Sequence, residues 1–273
     1  MYQRPNKRLL DQTAIVTGAS SGIGSAIATS LGLDGANVVI NYFSNKEGAE
    51  EVANAICEDK TCGQAITFRC DVSKEEEVMA MFQAAVQEFG TVDIMVPNAG
   101  LQLDYALHEM PLDKWQKVID VNLTGQFLCA REAIKEFMRR GLRHEVSAAL
   151  GKIIHISSVH EIIPWAGHAN YAASKGALVM LMQSIAQEYG PMKVRVNSIA
   201  PGAIKTPINR SVWETPEGLE KLYRLIPYKR IGEPSDIGSA AAWLASDESD
   251  YINGTTIFID GGMTCYPGFS QNG

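Results

Sequence analysis

No uninterrupted apolar run in the 273 residues approaches the roughly 18 needed to span a bilayer. The basic residues Arg4, Lys7 and Arg8 lead into Asp11, Gln12 and Thr13, where a secretory leader would place an apolar core. The expectation is a soluble, cytoplasmic protein that meets no membrane. Positive charge is in short supply as well. With 24 Lys+Arg against 31 Asp+Glu, net −7, no uniformly basic surface is available to displace counterions from nucleic acid, so no nucleic-acid partner is expected. Cysteine is sparse and odd in number: Cys57, Cys62, Cys70, Cys129 and Cys265 lack the paired short spacings of a zinc site or a disulfide framework. Free thiols and no metal follow. The triplet Asn122-Leu123-Thr124 matches a glycosylation acceptor, but in a chain that is not secreted it is a coincidence. Disorder is excluded too, because 46% hydrophobic against 20% charged residues can build a large core.

What is present is a rhythm. Short β-branched runs at Ala14 to Thr17, Asn37 to Asn41, Ala65 to Arg69, Ile94 to Pro97, Lys152 to Ser157, Val194 to Ile199 and Thr256 to Ile259 alternate with helical patterns. The helical patterns cover Gly22 to Leu33, Lys46 to Asp59, Lys74 to Phe89, Asp113 to Arg140, Asn170 to Tyr189 and Ser235 to Ala245. The strand candidates are continuously apolar, as required when helices cover both faces of a sheet. The pattern predicts a doubly wound α/β fold over residues 1–273 as a single domain, with a seven-stranded, mostly parallel sheet and right-handed crossovers. Two stretches break the rhythm. Gly141 to Leu150 reads as a polar surface loop, and residues 203–234, with prolines at 207, 216, 227 and 234 and three large aromatics, read as a substrate lid.

In an open sheet of this kind ligands gather beyond the carboxyl ends of the strands. Gly18, Tyr42, Asp71, the run Asn98-Ala99-Gly100, Ser158 and Pro201-Gly202 follow six successive strands. The first strand ends in Thr17-Gly18-Ala19-Ser20-Ser21-Gly22-Ile23-Gly24 and leads into an alanine-rich helix. Glycines there let backbone N–H groups and a helix N-terminus approach a pyrophosphate, and the strand-to-helix context points to a dinucleotide.

Tyr-x-x-x-Lys on one helix face places an ammonium where it can stabilise a phenolate. Of the pairs Tyr42/Lys46, Tyr171/Lys175 and Tyr189/Lys193, only the second lies inside a continuous helical pattern, and only it has a serine, Ser158, at a strand end 13 residues upstream. A tyrosine titrates near 10, so acting as a base near neutrality needs a shift of about three units, or about 4 kcal/mol. One ammonium about 4 Å away at an effective dielectric of about 20 supplies about 4 kcal/mol. Asn122 sits on the apolar stripe of Trp115, Val118 and Ile119, where a buried amide needs partners; one reading has it position Lys175 through water.

These residues resemble the short-chain dehydrogenase/reductase family: Thr17 to Gly24, Asp71-Val72, Asn98 to Gly100, Asn122, Ser158, Tyr171/Lys175, and Pro201-Gly202 with Thr206. The resemblance covers nearly the whole chain and implies a Rossmann domain that moves hydride between nicotinamide C4 and a carbinol carbon. It implies Tyr171 as proton acceptor or donor, Ser158 on the substrate oxygen, Lys175 on the nicotinamide ribose, Asn122 in a proton relay and Asp71 at adenine. The implied cofactor contacts are Gly18, Ser20, Ser21, Gly22, Ile23, Gly24, Asn41, Tyr42, Asp71, Val72, Asn98, Ala99, Gly100, Tyr171, Lys175, Pro201, Gly202, Ile204 and Thr206.

Within the family, Ser157 to Trp165, Gly202 to Asn209 and Asp260 to Pro267 are similar to bacterial glucose 1-dehydrogenases, which implies oxidation of an aldose at C1, with His160 and Gln102 as candidate substrate contacts beside Ser158 and Tyr171. Pro97, Gln102 and the 141–150 loop depart from that group. Family likeness also implies a homotetramer, and Met180 and Met182 on an already apolar helix hint at extra burial. Cofactor choice is read at the second strand's end, where a carboxylate would bond the ribose of NAD and repel the 2′-phosphate of NADP. Asn41 is neutral and Ser20 is not basic, so use of both NADP and NAD is expected, favouring NADP. Two other readings stay open: an NADPH-dependent carbonyl or 3-oxoacyl reductase, and a cofactor-sensing binding protein without turnover.

Overall fold

A computed structural model describes residues 7–58, 62–207 and 213–265. Seven strands form one sheet in the order β3-β2-β1-β4-β5-β6-β7, and every pairing is parallel. The strands are β1 (Thr13–Val16), β2 (Asn37–Tyr42), β3 (Ala65–Arg69), β4 (Ile94–Val96), β5 (Gly151–Ile156), β6 (Val194–Pro201) and β7 (Thr256–Ile259). The chain reverses its winding between β1 and β4, so the loops after these two strands diverge and leave a crevice at their carboxyl ends.

Strands that are apolar on both faces need cover on both, and two cores supply it. On one face Val16, Val38, Ile40 and Ile94 pack with Ile27 and Leu31 of α1 (Gly22–Leu33), Ile56 of α2 (Lys46–Cys57) and Ile237 of the last helix. On the other, the intervening residues Ile15, Val39 and Met95 pack with Met81 of α3 (Glu75–Phe89), Phe137 of α5 (Gly125–Arg140) and Met182 of α6 (Ala169–Tyr189). Each such side chain, fully buried, contributes about 1.5–3 kcal/mol before chain entropy is counted.

The fold departs from the sequence reading in four places. The pattern over 113–140 is broken: α4 (Leu112–Ile119) passes through a π-turn at Asp120–Thr124 before α5. Asn122 lies in that turn, fully buried. The 141–150 segment is not a plain surface loop, because Ser147, Ala149 and Leu150 are buried and Ser147 is hydrogen bonded to both Lys152 and Asp247. The stretch read as a lid contains a helix, α7 (Pro216–Leu225), whose Thr215 side chain accepts from Gly218 N–H at 3.1 Å, before α8 (Pro234–Ala245). Finally, Tyr42, read as following the second strand, is the last residue of β2. Residues 208–212, including Ile208 and Asn209, and the terminal Tyr266 and Pro267 lie outside the described residues.

Candidate active site

A cavity of about 1860 Å³ opens at the carboxyl edge of the sheet. The glycine-rich turn forms one wall. Gly18 and Gly22 have φ of +60° and +59°, a conformation that side chains disfavour, and a Cβ on Gly24 would stand 2.3 Å from the Gly18 carbonyl oxygen. The turn can close only with glycine there. It delivers the first turn of α1, whose Ser21 side chain makes no capping bond, so the helix's leading N–H groups are left for whatever enters. An uncapped helix N-terminus behind Ser20, Ser21, Gly22, Ile23 and Gly24, all on the cavity wall, fits a pyrophosphate.

The turn is fastened by two side-chain amides. Asn98 N–H donates to Thr17 Oγ1 at 2.9 Å, and its side chain donates to the carbonyls of Thr17 and Gly18 at 2.8 and 3.2 Å. Asn41 does the same from β2. Its Oδ1 accepts from Gly18 N–H at 3.1 Å, and its Nδ2 donates to the carbonyls of Cys70, Tyr42 and Phe68 at 3.1–3.3 Å. Asn41 lies on the cavity wall as the sequence reading placed it, and its amide is engaged in holding the turn to β3. The reading of Tyr42 as a cofactor contact is corrected: it packs in the core with Val38 and Ile40 and does not line the cavity. Phe43, 57% exposed, lines the wall instead, with the Arg69 guanidinium 5.5 Å from its ring centroid. Asp71, Val72, Ala99, Gly100, Pro201, Gly202, Ile204 and Thr206 lie on the same cavity. Asp71 fixes its own loop by accepting from the N–H and hydroxyl of Ser73 at 3.0 and 2.7 Å.

Ser158, Tyr171 and Lys175 converge beyond β5. Ser158 caps the short 3-10 turn Val159–Glu161, its Oγ accepting from His160 N–H at 3.2 Å. Tyr171 and Lys175 are one turn apart on α6, with the ammonium 5.6 Å from the centroid of the tyrosine ring. Burial raises the Tyr171 pKa, and a hydrogen-bonding contact with Ser158 opposes the rise. This is opposite in direction to the lowering expected from Lys175. The reason is burial, which outweighs the Ser158 contact, while Lys175 Nζ lies over the ring and donates to the Ile156 carbonyl at 2.8 Å. Burial also draws the Lys175 pKa down to about 8. The pairs Tyr42/Lys46 and Tyr189/Lys193 do not share a helix, since Tyr42 ends β2 and Tyr189 ends α6.

Asn122 is not on the cavity wall. Its Oδ1 accepts from Leu101 N–H at 2.8 Å, and its Nδ2 donates to the Leu101 carbonyl at 2.9 Å and to Ser174 Oγ at 3.3 Å. It therefore holds the loop after β4 against α6, next to Lys175 in sequence, and has no direct bond to the lysine.

The remaining wall carries an aromatic stack and a polar row. His160, Trp165 and His168 form a stack with centroid spacings of 4.1 and 3.6 Å, edge-on to Tyr171 at 6.3 Å. Trp165, stacked on both imidazoles, remains 39% exposed. His160 Nδ1 is held by the Ile163 carbonyl at 3.0 Å, and Gln102 reaches the Asp104 carboxylate at 2.9 Å, which in turn lies 3.2 Å from His168 Nε2. Sequence reasoning missed the apolar half of this wall. Ile162, Ile163 and Trp165 face Leu222 and Leu225 of α7 and Met263 around the cavity. A capping Thr215 and Pro216 gave a signal for α7, but nothing local shows that Met263 would join it. Among the described residues no helix is long and apolar enough to cross a membrane, and no cluster of His, Cys, Asp or Glu could hold a metal.

A family model described as enoyl-(acyl carrier protein) reductase matches residues 18–264. The chain is 49% identical over 261 residues to 3β-hydroxysteroid dehydrogenase 1 of Eggerthella lenta, covering 96% of this chain and 97% of the relative. It is 43% identical over 262 residues to glucose 1-dehydrogenase 2 of Bacillus subtilis, covering 96% and 98%. Among solved structures, a short-chain dehydrogenase from Burkholderia cenocepacia in complex with NADP superposes with a TM-score of 0.85 at 30% identity, covering 94% of this chain and 99% of that one.

Proposed function

The chain belongs to the short-chain dehydrogenase/reductase family and is an NAD(P)-dependent oxidoreductase acting on CH–OH groups; from that premise we propose that Ser158, Tyr171 and Lys175 carry the reaction and that the substrate is an aldose oxidised at C1 to its lactone. The observation that carries the chemistry is the convergence of the three side chains on one cavity wall beside the glycine-rich turn. In this reading Ser158 Oγ donates to the substrate oxygen, and the Tyr171 phenolate takes the hydroxyl proton. Lys175 offers its ammonium to a ribose and keeps positive charge beneath the phenol. Bound along the glycine-rich turn, Asp71 and Lys175, the nicotinamide nucleotide supplies the hydride acceptor. Asn122 acts indirectly, by fixing the Leu101 loop and the Ser174 turn.

For an aldose, the support is the 43% relative and the polar edge made by His160 and the Gln102–Asp104–His168 row. A second reading has its own support. Ile162 and Leu225 are 58% and 60% exposed on the cavity wall, and an apolar patch of this kind suits a bulky alicyclic alcohol such as the substrate class named in the 49% relative. Reduced nicotinamide formed from a panel of aldoses, 3β-hydroxysteroids and, in reverse, a β-ketoacyl thioester tests both readings and the reductase alternative. Steroid-only turnover overturns the aldose assignment. Full physiological activity in Tyr171→Phe would favour the sensor reading instead.

We also propose use of both cofactors, since Asn41 brings no carboxylate and Lys74 lies on the nucleotide wall. A thousandfold or greater preference in kcat/KM for NAD contradicts this. Residues 1–273 act as one unit in this reading, with 203–234 as the lid. A homotetramer is proposed from exposed apolar side chains on α4 to α6: Leu112, Phe127, Met138 and Met180 are 78%, 41%, 52% and 62% exposed, whereas Met182 is in the core. Light scattering on the purified protein tests it; a monomer rules it out.

A further inference from the structure

We propose that Gln126 and His155 are positioning residues that fix the Lys175 ammonium at the cavity through an acceptor the lysine shares with Gln126, the Ile156 carbonyl. That carbonyl ends β5 where β4 turns away from it. The Ile156 N–H still donates to the Pro97 carbonyl at 3.2 Å, but the N–H groups of Asn98 and Ala99 have turned to Thr17 Oγ1, both at 2.9 Å. Two side chains occupy the Ile156 oxygen instead: Lys175 Nζ donates to it at 2.8 Å and Gln126 Nε2 at 3.2 Å. A carbonyl oxygen has two lone pairs, so each donor holds one.

His155 decides which way the Gln126 amide faces. Gln126 is 2% exposed at the start of α5, and its Oε1 lies 2.7 Å from Nδ1 of His155, which is fully buried on β5. An amide oxygen only accepts, so Nδ1 carries a proton. Burial, and after it the Lys175 charge, draw the His155 pKa down to about 3, so the ring is neutral and this proton is its only one. Nε2 is accordingly bare, and it is buried without a hydrogen-bond partner. Reversing the Gln126 amide would set its oxygen against the Ile156 oxygen. Gln126 therefore holds the Ile156 carbonyl from the core, whereas Lys175 reaches it from the cavity wall. The same stretch of chain holds the lysine's neighbour, since Asn122, four residues before Gln126, donates to Ser174 Oγ.

What the arrangement does follows from competition for that oxygen. An ammonium has three donors, and one is spent on Ile156. With the inner lone pair taken, the lysine keeps the outer one, and its other donors stay beside the space that the nucleotide ribose enters. Freed of Gln126, the inner lone pair lies in drier surroundings, where a bond to a cation is stronger, and the ammonium withdraws toward it.

This inference rests on the reading of Lys175 as the ribose contact, so its test separates the two. Dissociation constants for NADPH are measured by nucleotide fluorescence on the full-length protein for wild type, Gln126→Met, Lys175→Met and the double variant. Gln126→Met should weaken NADPH about tenfold when Lys175 is present and add nothing in the Lys175→Met background. His155→Leu should match Gln126→Met, whereas His155→Asn, whose Nδ2 can donate from near the place of the imidazole Nδ1, should stay within about twofold of wild type. An equal loss from Gln126→Met in both backgrounds, or no loss in either, overturns the proposal and leaves the lysine's role standing. Nitrogen NMR of the wild-type protein needs no variant: His155 should carry one proton, on Nδ1, from about pH 6 to pH 9, and a proton on Nε2 overturns the proposal. Lys175→Met binding NADPH as tightly as wild type removes the reading of the lysine as ribose contact, and the proposal with it.

Discussion

Strand β5 has a buried lysine at each end. Lys152 is 1% exposed on the strand itself, and Lys175 is 3% exposed with its ammonium on the Ile156 carbonyl where the strand finishes. Burial draws both to about 8. The surroundings then diverge. Lys152 Nζ donates to Gln12 Oε1 at 2.7 Å and Ser147 Oγ at 2.6 Å, with the Asp247 carboxylate 3.9 Å away, and it does not line the large cavity. Lys175 borders the nucleotide cavity, with Tyr171 under its charge. A depressed lysine pKa therefore does not identify a reactive site. The distinguishing property is whether the ammonium's donors are consumed by the protein or remain next to a space that a ligand can enter.

The largest effect should come from exchanging the two lysines' fates. Lys175→Met should lower kcat/KM by about 10²- to 10⁴-fold while retaining the fold, because the group lost acts on charge developing in the reaction. Lys152→Met should leave kcat/KM within about twofold of wild type, since the effect of a distant packed site seldom reaches the chemistry. Comparable losses in both variants would remove the distinction between the strand ends. Next in size is Ser158→Ala, which removes both the contact that restrains the Tyr171 pKa and the cap of the Glu161 turn. A loss of about 10²-fold in kcat/KM is expected, with the acidic limb of the pH–rate profile displaced upward.

The third test uses stability. The folded-state pKa of Lys152, about 8, lies below its ordinary 10.5, so the folded protein gives up this proton before the unfolded chain does. Stability should therefore be lowest below pH 8 and rise between pH 8 and 10.5, by about 3 kcal/mol for this lysine. Urea unfolding at pH 7 and at pH 9.5 should show that rise in wild type and a smaller one in Lys152→Met. An equal rise in both would mean that Lys152 is not the group titrating.

The two ends also differ in how much of each could be read from sequence. The glycine turn, Ser158 and the Tyr171/Lys175 pair were legible because each is a short-range pattern whose geometry a strand-to-helix junction or a helical repeat dictates. Asn122 was legible as a buried amide, but its partners, Leu101 and the Ser174 hydroxyl, are far along the chain and are met only because Asn122 sits in a π-turn that the periodic pattern did not show. Tyr42 was misassigned because side chains alternate along a strand: the Asn41 amide stays at the cavity wall among the carbonyls of Phe68 and Cys70, and the next residue's phenol falls into the core. The Lys152 end left no trace in sequence, because Gln12, Ser147 and Asp247 are far apart along the chain. The 141–150 segment looked like solvent-facing polarity for the same reason.

Ser147 provides the smallest and most local test of that hidden end. Its hydroxyl donates to Asp247 Oδ1 at 2.6 Å while accepting from Lys152 Nζ and from Ala149 N–H at 3.2 Å, so one oxygen ties β5 to the segment before it and to the residues after α8. Ser147→Ala leaves a buried ammonium and a buried N–H each short of an acceptor, a loss of about 1–3 kcal/mol. The Lys152 pKa should fall further, because the ammonium loses an acceptor while its burial stays the same, so the pH-dependent rise in stability should begin below pH 8. A urea midpoint lowered by that amount, with kcat/KM unchanged, would show that the amino end of β5 holds its charge for the fold and the carboxyl end for the reaction. A variant as stable as wild type would mean that Gln12 alone satisfies the ammonium, and that the two lysines differ less in bonding than in access to the cavity.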